Sequence, residues 1–415
     1  MAGIDREYLL RSLERQKERL ASSVVLTPVD SLPFCLPDRE KTAFLHGLYL
    51  TDKVRDDEAA FKAVIQFGGR EAAAEDIAAI HALLSAKLGA EDGSLRLLAG
   101  LQAHAVTFMS IARLGQTVML LPEDAGGHFN SHAILQRLGL RTVDMPVDYN
   151  RLCVDREATL EAIAREAPDF VFVDRSEGLR YEDFEFLGRL EGPVKVFDGS
   201  QYLTPLITGR YSNPLAWGFD LMLFTLHKSF PGPQKAGIVT RERGEIWERL
   251  LSGLSTMVSS SHAENSYLVG LTLLRDDWLE TYAERIFATA LALEENLSAL
   301  GVPVFPRTNQ GEESWPTTHH LWIGAASRPE AFAQYKRLAE AGILANYRKL
   351  PYELGWGLRL GTTHASVAGI TPRHGAELAE IIHAAMAGET NLRERVRALA
   401  RSARGEAIVP AVHWA

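Results

Sequence analysis

The 415 residues carry 44 lysines and arginines against 53 acidic residues, a formal charge of −9. That balance disfavours nucleic acid and anionic membranes as partners, since both select basic surfaces. Apolar residues at 46% and charged residues at 23% are ordinary globular values, and the length allows two or three domains, each with its own core. Cys35 and Cys153 are too few for a disulfide framework and no metal-ligand spacing occurs, so a reducing, cytoplasmic setting and no metal are expected. No stretch approaches the roughly 20 uninterrupted apolar residues of a membrane helix. The charged start MAGIDREYLLRSLERQKERL does not read as a signal peptide.

Residues 5–20 form an amphipathic helix with Leu9, Leu10, Leu13 and Leu20 on one side, which could pack on a partner subunit or on its own domain. Its successor, LTPVDSLPF (26–34), has prolines that call for an extended arm. From residue 75 the chain alternates in βαβ fashion: a helical stripe of Ile77, Ile80, Leu84 and Leu88, a strand at 95–98, a helix over 100–114 and a strand at 118–121. Further strands are expected at 142–147, 170–173 and 194–197, with helices near 156–166 and 181–190. A long helix is expected over 264–299, followed by a smaller α/β domain from 300 to 415.

The chemistry concentrates between 194 and 239. An apolar run ends in Asp198, and a second, Leu221–Thr225, is followed by His227 and Lys228. Continuous apolar runs suit buried parallel strands, and in open α/β sheets ligands collect beyond the strands' carboxyl ends. A carboxylate and an amine delivered there suit pyridoxal 5′-phosphate (PLP), which needs a lysine for a Schiff base and an acid to keep its ring nitrogen protonated. Pro231-Gly232-Pro233 then forces a turn next to the amine.

Asp198-x-x-Gln201 followed by Thr225-x-His227-Lys228 and Gly232-Pro233-Gln234 resembles the pattern of the serine hydroxymethyltransferase family, fold type I PLP enzymes. Within it, HKSFPGPQK together with Ser261-His262-Ala263-Glu264 is more similar to the threonine transaldolase branch than to the folate-dependent enzymes. The resemblance spans about residues 24–385 and is densest at 125–128, 198–237 and 357–362. It implies a role for each residue that falls on a family motif. Lys228 would form the Schiff base, Asp198 would pair with the pyridinium nitrogen, and Gln201 would approach the phenolic oxygen. His128, in Ala125-Gly-Gly-His128, would stack on the ring, and Ser176, Thr225, His227 and His262 would touch the cofactor. Gly100, Leu101 and Gln102 stand where the family's S-G-S-Q binds phosphate; both of that motif's serines are missing here, which leaves backbone amides at a helix start. Arg359, in Gly357-Leu-Arg359-Leu-Gly361, would clamp the substrate carboxylate. Asp30 and Ser31 fall on the family's substrate segment. In place of the glutamate of its Y-A-E-G motif stands His46, a residue that can also move protons near neutral pH.

The implied fold is therefore a fold type I PLP-dependent transferase with a mainly parallel seven-stranded sheet. Its expected divisions are an N-terminal helix and arm (1–45), a large PLP-binding domain (46–275) and a small C-terminal domain (276–415). The implied partners are a small amino-acid substrate, an aldehyde acceptor and a second copy of the chain in a homodimer whose 260–265 loop reaches the neighbour's cofactor. The implied function is aldol-type chemistry on a β-hydroxy amino acid or glycine without folate, with Lys228, His128 and His46 as catalytic residues. Transamination or related α-proton chemistry is the alternative enzyme reading. A non-catalytic PLP-type scaffold is the alternative outside catalysis.

Overall fold

The structure, a computed structural model, describes residues 5–34, 38–307 and 315–408. Cys35 lies outside them. Two compact units are formed, one by residues 35–279 and one by residues 1–34 together with 280–415.

The first unit is built on a seven-stranded sheet. Its strands are β1 (Asp92–Ser94), β2 (Thr117–Leu120), β3 (Arg141–Asp144), β4 (Phe170–Val173), β5 (Val194–Asp198), β6 (Leu221–Thr225) and β7 (Ala236–Thr240). They are ordered β1-β7-β6-β5-β4-β2-β3. The five from β6 to β3 pair in parallel, while β7 runs antiparallel to both β6 and β1. Sequence composition explains the parallel centre: β4 reads FVFV and β6 reads LMLFT, every residue buried, as expected of strands covered on both faces. The helices Gly100–Ile111 and Glu245–Met257 supply one cover, with Val106, Phe108, Trp247 and Leu250 packed against Val118, Phe172, Val196 and Leu223. Each such buried apolar side chain contributes roughly 1.5–3 kcal/mol.

Four expected elements differ from those observed. Leu95–Leu97 is buried and Leu98 partly so, but the segment is not a ladder strand, because side chains take its N–H groups. His81 Nε2 accepts from Leu95 at 3.0 Å, Ser94 Oγ from Arg96 at 3.3 Å and Gln102 Oε1 from Leu98 at 2.6 Å. The helix expected at 181–190 shrinks to Glu185–Gly188. Tyr181 is instead drawn into an aromatic core, stacked 4.2 Å from Tyr211. The long helix at 264–299 is two helices, Ala263–Leu273 and Asp276–Ala299; Asp276 and Asp277 are acids of the kind that favour a new helix N-terminus. The strand at 142–147 stops at Asp144, before Pro146, which has no N–H to donate to a ladder.

The second unit holds a three-stranded antiparallel sheet of β8 (His320–Gly324), β9 (Asn346–Lys349) and β10 (Trp356–Gly361), ordered β8-β10-β9. Val24–Val25 pairs in parallel with Ile343–Leu344. Among the described residues no helix is long and apolar enough to cross a membrane.

Candidate active site

Asp198 is the last residue of β5 and is buried. The Ser200 N–H donates to its Oδ1 at 2.8 Å, and His104 Nε2 lies 2.7 Å from Oδ2. Burial alone would raise this carboxyl. The His104 hydrogen bond and charge, the nearby Lys228 ammonium and the Ser200 bond outweigh it and hold Asp198 at about 2. Asp198 is thus a fixed anion, and His104 is the donor in their bond.

His104 comes from the helix Gly100–Ile111 and stands edge-on to the rings of Phe172 (5.1 Å) and His128 (5.7 Å). Its Nδ1 faces Ser131 Oγ at 3.3 Å. Ser131 in turn bonds Asp174, a carboxyl that burial raises to about 6. Asp174 also accepts the His128 N–H at 3.2 Å. Two buried carboxyls therefore lie at the two ends of one histidine, pushed to opposite sides of their ordinary value.

Lys228 follows β6 in the ten-residue connection to β7, whose ends are joined by Leu226 N–H to Lys235 C=O at 2.9 Å. Its neighbour Ser229 pins the connection: its hydroxyl donates to Ser200 C=O (3.1 Å) and accepts from Leu203 N–H (2.9 Å), while its carbonyl accepts from Thr204 (2.8 Å). Gly232 donates to the Leu226 carbonyl at 2.9 Å, and a Cβ at Gly232 would lie 2.7 Å from that oxygen. Lys228 and His227 are half-buried, so the amine is held at the rim of the sheet.

His128 is placed by the glycines before it. Gly126 has φ +91° and a Cβ there would meet the Glu177 carbonyl at 2.3 Å; at Gly127 it would meet the Leu121 carbonyl at 2.4 Å. The Gly126 carbonyl also accepts the N–H of Ser176 at 2.9 Å, so Ser176 and His128 belong to two loops pinned together. The His128 ring stacks on Phe129 at 4.8 Å, and its Nδ1 accepts from Asn130 N–H at 3.2 Å.

At Gly100 a Cβ would lie 2.9 Å from Thr225 Cγ2. Ala99, at the N-cap, has no side-chain group to bond the first N–H groups of this twelve-residue helix. Among the described residues the buried Thr225 hydroxyl has no hydrogen-bond partner. Open amides and an unmatched hydroxyl at one helix N-terminus fit a phosphate, and a carboxylate held at about 2 fits a protonated pyridine nitrogen, so the residues present suit PLP. The Gln102 side chain is committed to Leu98, which leaves its amide for an anion, and Leu101 is partly exposed. Gln201, three positions after Asp198, is buried.

Two further predicted residues belong to this unit. His46, after the turn Ala43–Leu45, and His262, the N-cap of Ala263–Leu273 with φ +51°, meet at the carboxylate of Glu264. The other unit holds Arg359, Asp30 and Ser31. Arg359, on β10, is buried, which lowers its guanidinium to about 10, and it donates to Asn346 Oδ1 at 3.1 Å. The Asp30 carbonyl accepts from Thr363 at 2.8 Å. Ser31 bonds Tyr282.

No protein-family sequence model matches the chain. It is 31% identical over 316 residues to an L-threonine:uridine-5′-aldehyde transaldolase from a Streptomyces species, covering 74% of this chain and 73% of that one. The chain belongs to the threonine transaldolase branch of the serine hydroxymethyltransferase-like enzymes. The fluorothreonine transaldolase of Streptantibioticus cattleyicolor is 32% identical over 313 residues, 74% of this chain but only 48% of that protein's length. The serine hydroxymethyltransferase of Picrophilus torridus is 26% identical over 318 residues. A crystal structure of the L-threonine transaldolase from Pseudomonas fluorescens in its internal aldimine state superposes with a TM-score of 0.84 at 20% identity, covering 97% of this chain and 92% of that one. It shares the fold. Family members are PLP-dependent enzymes, and the chemistry is of aldol, transaldolase type.

His104 is the residue that sequence reasoning missed. Its position four residues after Gly100 puts it one helical turn inside the helix N-terminus, on the face turned to the sheet. The helix also carries Gln102, Thr107 and Ser110, so a polar residue there does not single itself out in the sequence.

Proposed function

We propose that the chain binds PLP and transfers the two-carbon amino-acid portion of a β-hydroxy amino acid such as threonine to an acceptor aldehyde, as a homodimer. The observation that carries this reading is the Asp198–His104 pair, a carboxylate held anionic at a strand end, in the same connected framework as the lysine-bearing connection after β6. When bound, PLP supplies the electron sink that makes the Cα–Cβ bond breakable.

The chain's own residues do the rest. Lys228 attaches the cofactor's aldehyde carbon, and its rigid connection keeps the amine in reach of it. Asp198 holds the proton on the ring nitrogen. Gly100–Gln102 amides and Thr225 receive the phosphate, His128 covers the ring face, and Gln201, Ser176, His227 and His262 frame it. Arg359 receives the substrate carboxylate, its planar fork matching two oxygens, and Asp30 and Ser31 are the further substrate-binding residues. His46 or His128 carries the proton of the β-hydroxyl.

The test is covalent trapping. Borohydride reduction of the yellow holoenzyme should leave a stable pyridoxyl group on Lys228, and Lys228→Ala should lose both the label and aldehyde release from threonine. A protein that cannot be reconstituted with PLP, or a label elsewhere, would overturn the proposal.

A further inference from the structure

In the cluster of ionisable side chains that begins at the lysine-bearing connection, Lys235 and Glu264 have no task in the scheme above. The cluster begins at Lys235, the last residue of that connection. Lys235 is fully buried, and its amine donates to the carbonyl of Ser261. Burial lowers this amine to about 7, against the opposing pull of Glu264 and Asp52.

Glu264, only 3% exposed, sits in the first turn of Ala263–Leu273. Its Oε1 lies 3.3 Å from His46 Nδ1 and 3.5 Å from His262 Nδ1. Both histidine side chains are about half exposed, at 51% and 55%. A buried carboxylate is costly to desolvate, and here it faces two imidazoles that water also reaches. Leu45, next to His46, packs with Leu50, Ile77 and Ala263, so His46 is set against Glu264 by a small apolar core of its own. His262 holds φ +51° and ψ +71°, a backbone region that is unfavourable for a non-glycine residue and recurs at functional positions. The other candidate proton carrier is arranged differently, since His128 Nδ1 accepts a backbone N–H.

We propose that Glu264 is a positioning residue for proton transfer, fixing His46 with its Nδ1–H on the carboxylate and leaving Nε2 to work on the substrate. A carboxylate on one imidazole nitrogen selects the tautomer and orients the ring. The proposal rests on the aldol reading above. As the donor amino acid breaks its Cα–Cβ bond, its β-hydroxyl O–H breaks too, C=O forms, and the proton moves to Nε2. When the acceptor aldehyde adds, a new Cα–Cβ bond forms and the resulting alkoxide takes the proton back. The cycle is proton-neutral and uses no oxidant. Lys235, bonded to Ser261 at the base of this cluster, ties it to the connection that carries Lys228.

Two measurements test it. In the unliganded protein, the ¹⁵N spectrum of His46, assigned by its loss in His46→Asn, should show the Nδ1–H tautomer, moving toward Nε2–H in Glu264→Gln. With threonine and acetaldehyde detection, His46→Asn and Glu264→Gln should each lower kcat by about 10- to 100-fold with little change in KM. The double variant should lose no more than either alone, and Glu264→Asp should recover part of the rate. An Nε2–H tautomer in the wild type, an unaltered Glu264→Gln rate, or additive losses would each overturn the proposal. A wild-type enzyme that releases no aldehyde while His46 keeps the Nδ1–H tautomer would instead sink the aldol reading and leave the positioning intact.

Discussion

Asp198 and Asp174 show how one histidine separates two buried carboxyls. Both are desolvated, but Asp198 has His104, Lys228 and Ser200 as compensation and falls to about 2, whereas Asp174 rises to about 6. A carboxyl held below its unfolded value of 3.8 adds stability that is fully present above that pH and is lost as pH falls through about 2. Replacing His104 by Phe removes the bond, so burial dominates and Asp198 titrates higher. His104→Phe should therefore cost about 1–3 kcal/mol at neutral pH, and the deficit should narrow as pH falls from the variant's raised Asp198 value toward 2. Urea midpoints of both proteins between pH 2 and 7 check this, and a deficit that does not depend on pH would assign His104 to packing alone. The acid and the lysine of this site were legible in the sequence because each ends an apolar run. His104 was not, because its partner lies 94 positions away and one sequence carries no signal for a contact across a sheet.

At the scale of elements, the parallel core was readable from continuous apolar runs, while the errors fell where side chains or caps compete with backbone ladders. Leu95–Leu98 has the composition of a strand, yet His81 and Gln102 take N–H groups that pairing would use. The 264–299 helix has unbroken helical spacing, and its interruption at Leu274–Arg275 carries neither proline nor glycine. The loop Ala125–His128 was legible for a firmer reason. Two glycines meet two carbonyl oxygens at 2.3 and 2.4 Å from where a Cβ would stand, so only the absence of a side chain permits the approach. Gly126→Ala adds a positive-φ penalty to that collision and should cost about 2 kcal/mol or more. It should also free Ser176 from the Gly126 carbonyl. A thermal melt together with faster amide exchange at Ser176 and Glu177 would register it, and an unchanged melting temperature would show that the two loops are not pinned.

For the molecule as a whole, 31% identity to a transaldolase across three quarters of the chain fixes the family. The residues fix less of the specificity, since substrate pockets are shaped by loops grafted on a common fold. The segment Pro28-Val29-Asp30-Ser31 and His46 depart from the family pattern, and both lie outside the motifs that carry the resemblance most densely. The central claim is that the Cα–Cβ bond is broken and a new one made. Threonine labelled with ¹³C at Cα and, separately, at Cβ should be incubated with the holoenzyme and an acceptor aldehyde, and the products followed by NMR. The account predicts that the Cα label enters a new β-hydroxy amino acid while the Cβ label leaves as acetaldehyde. Both labels remaining together in one four-carbon keto acid would contradict it.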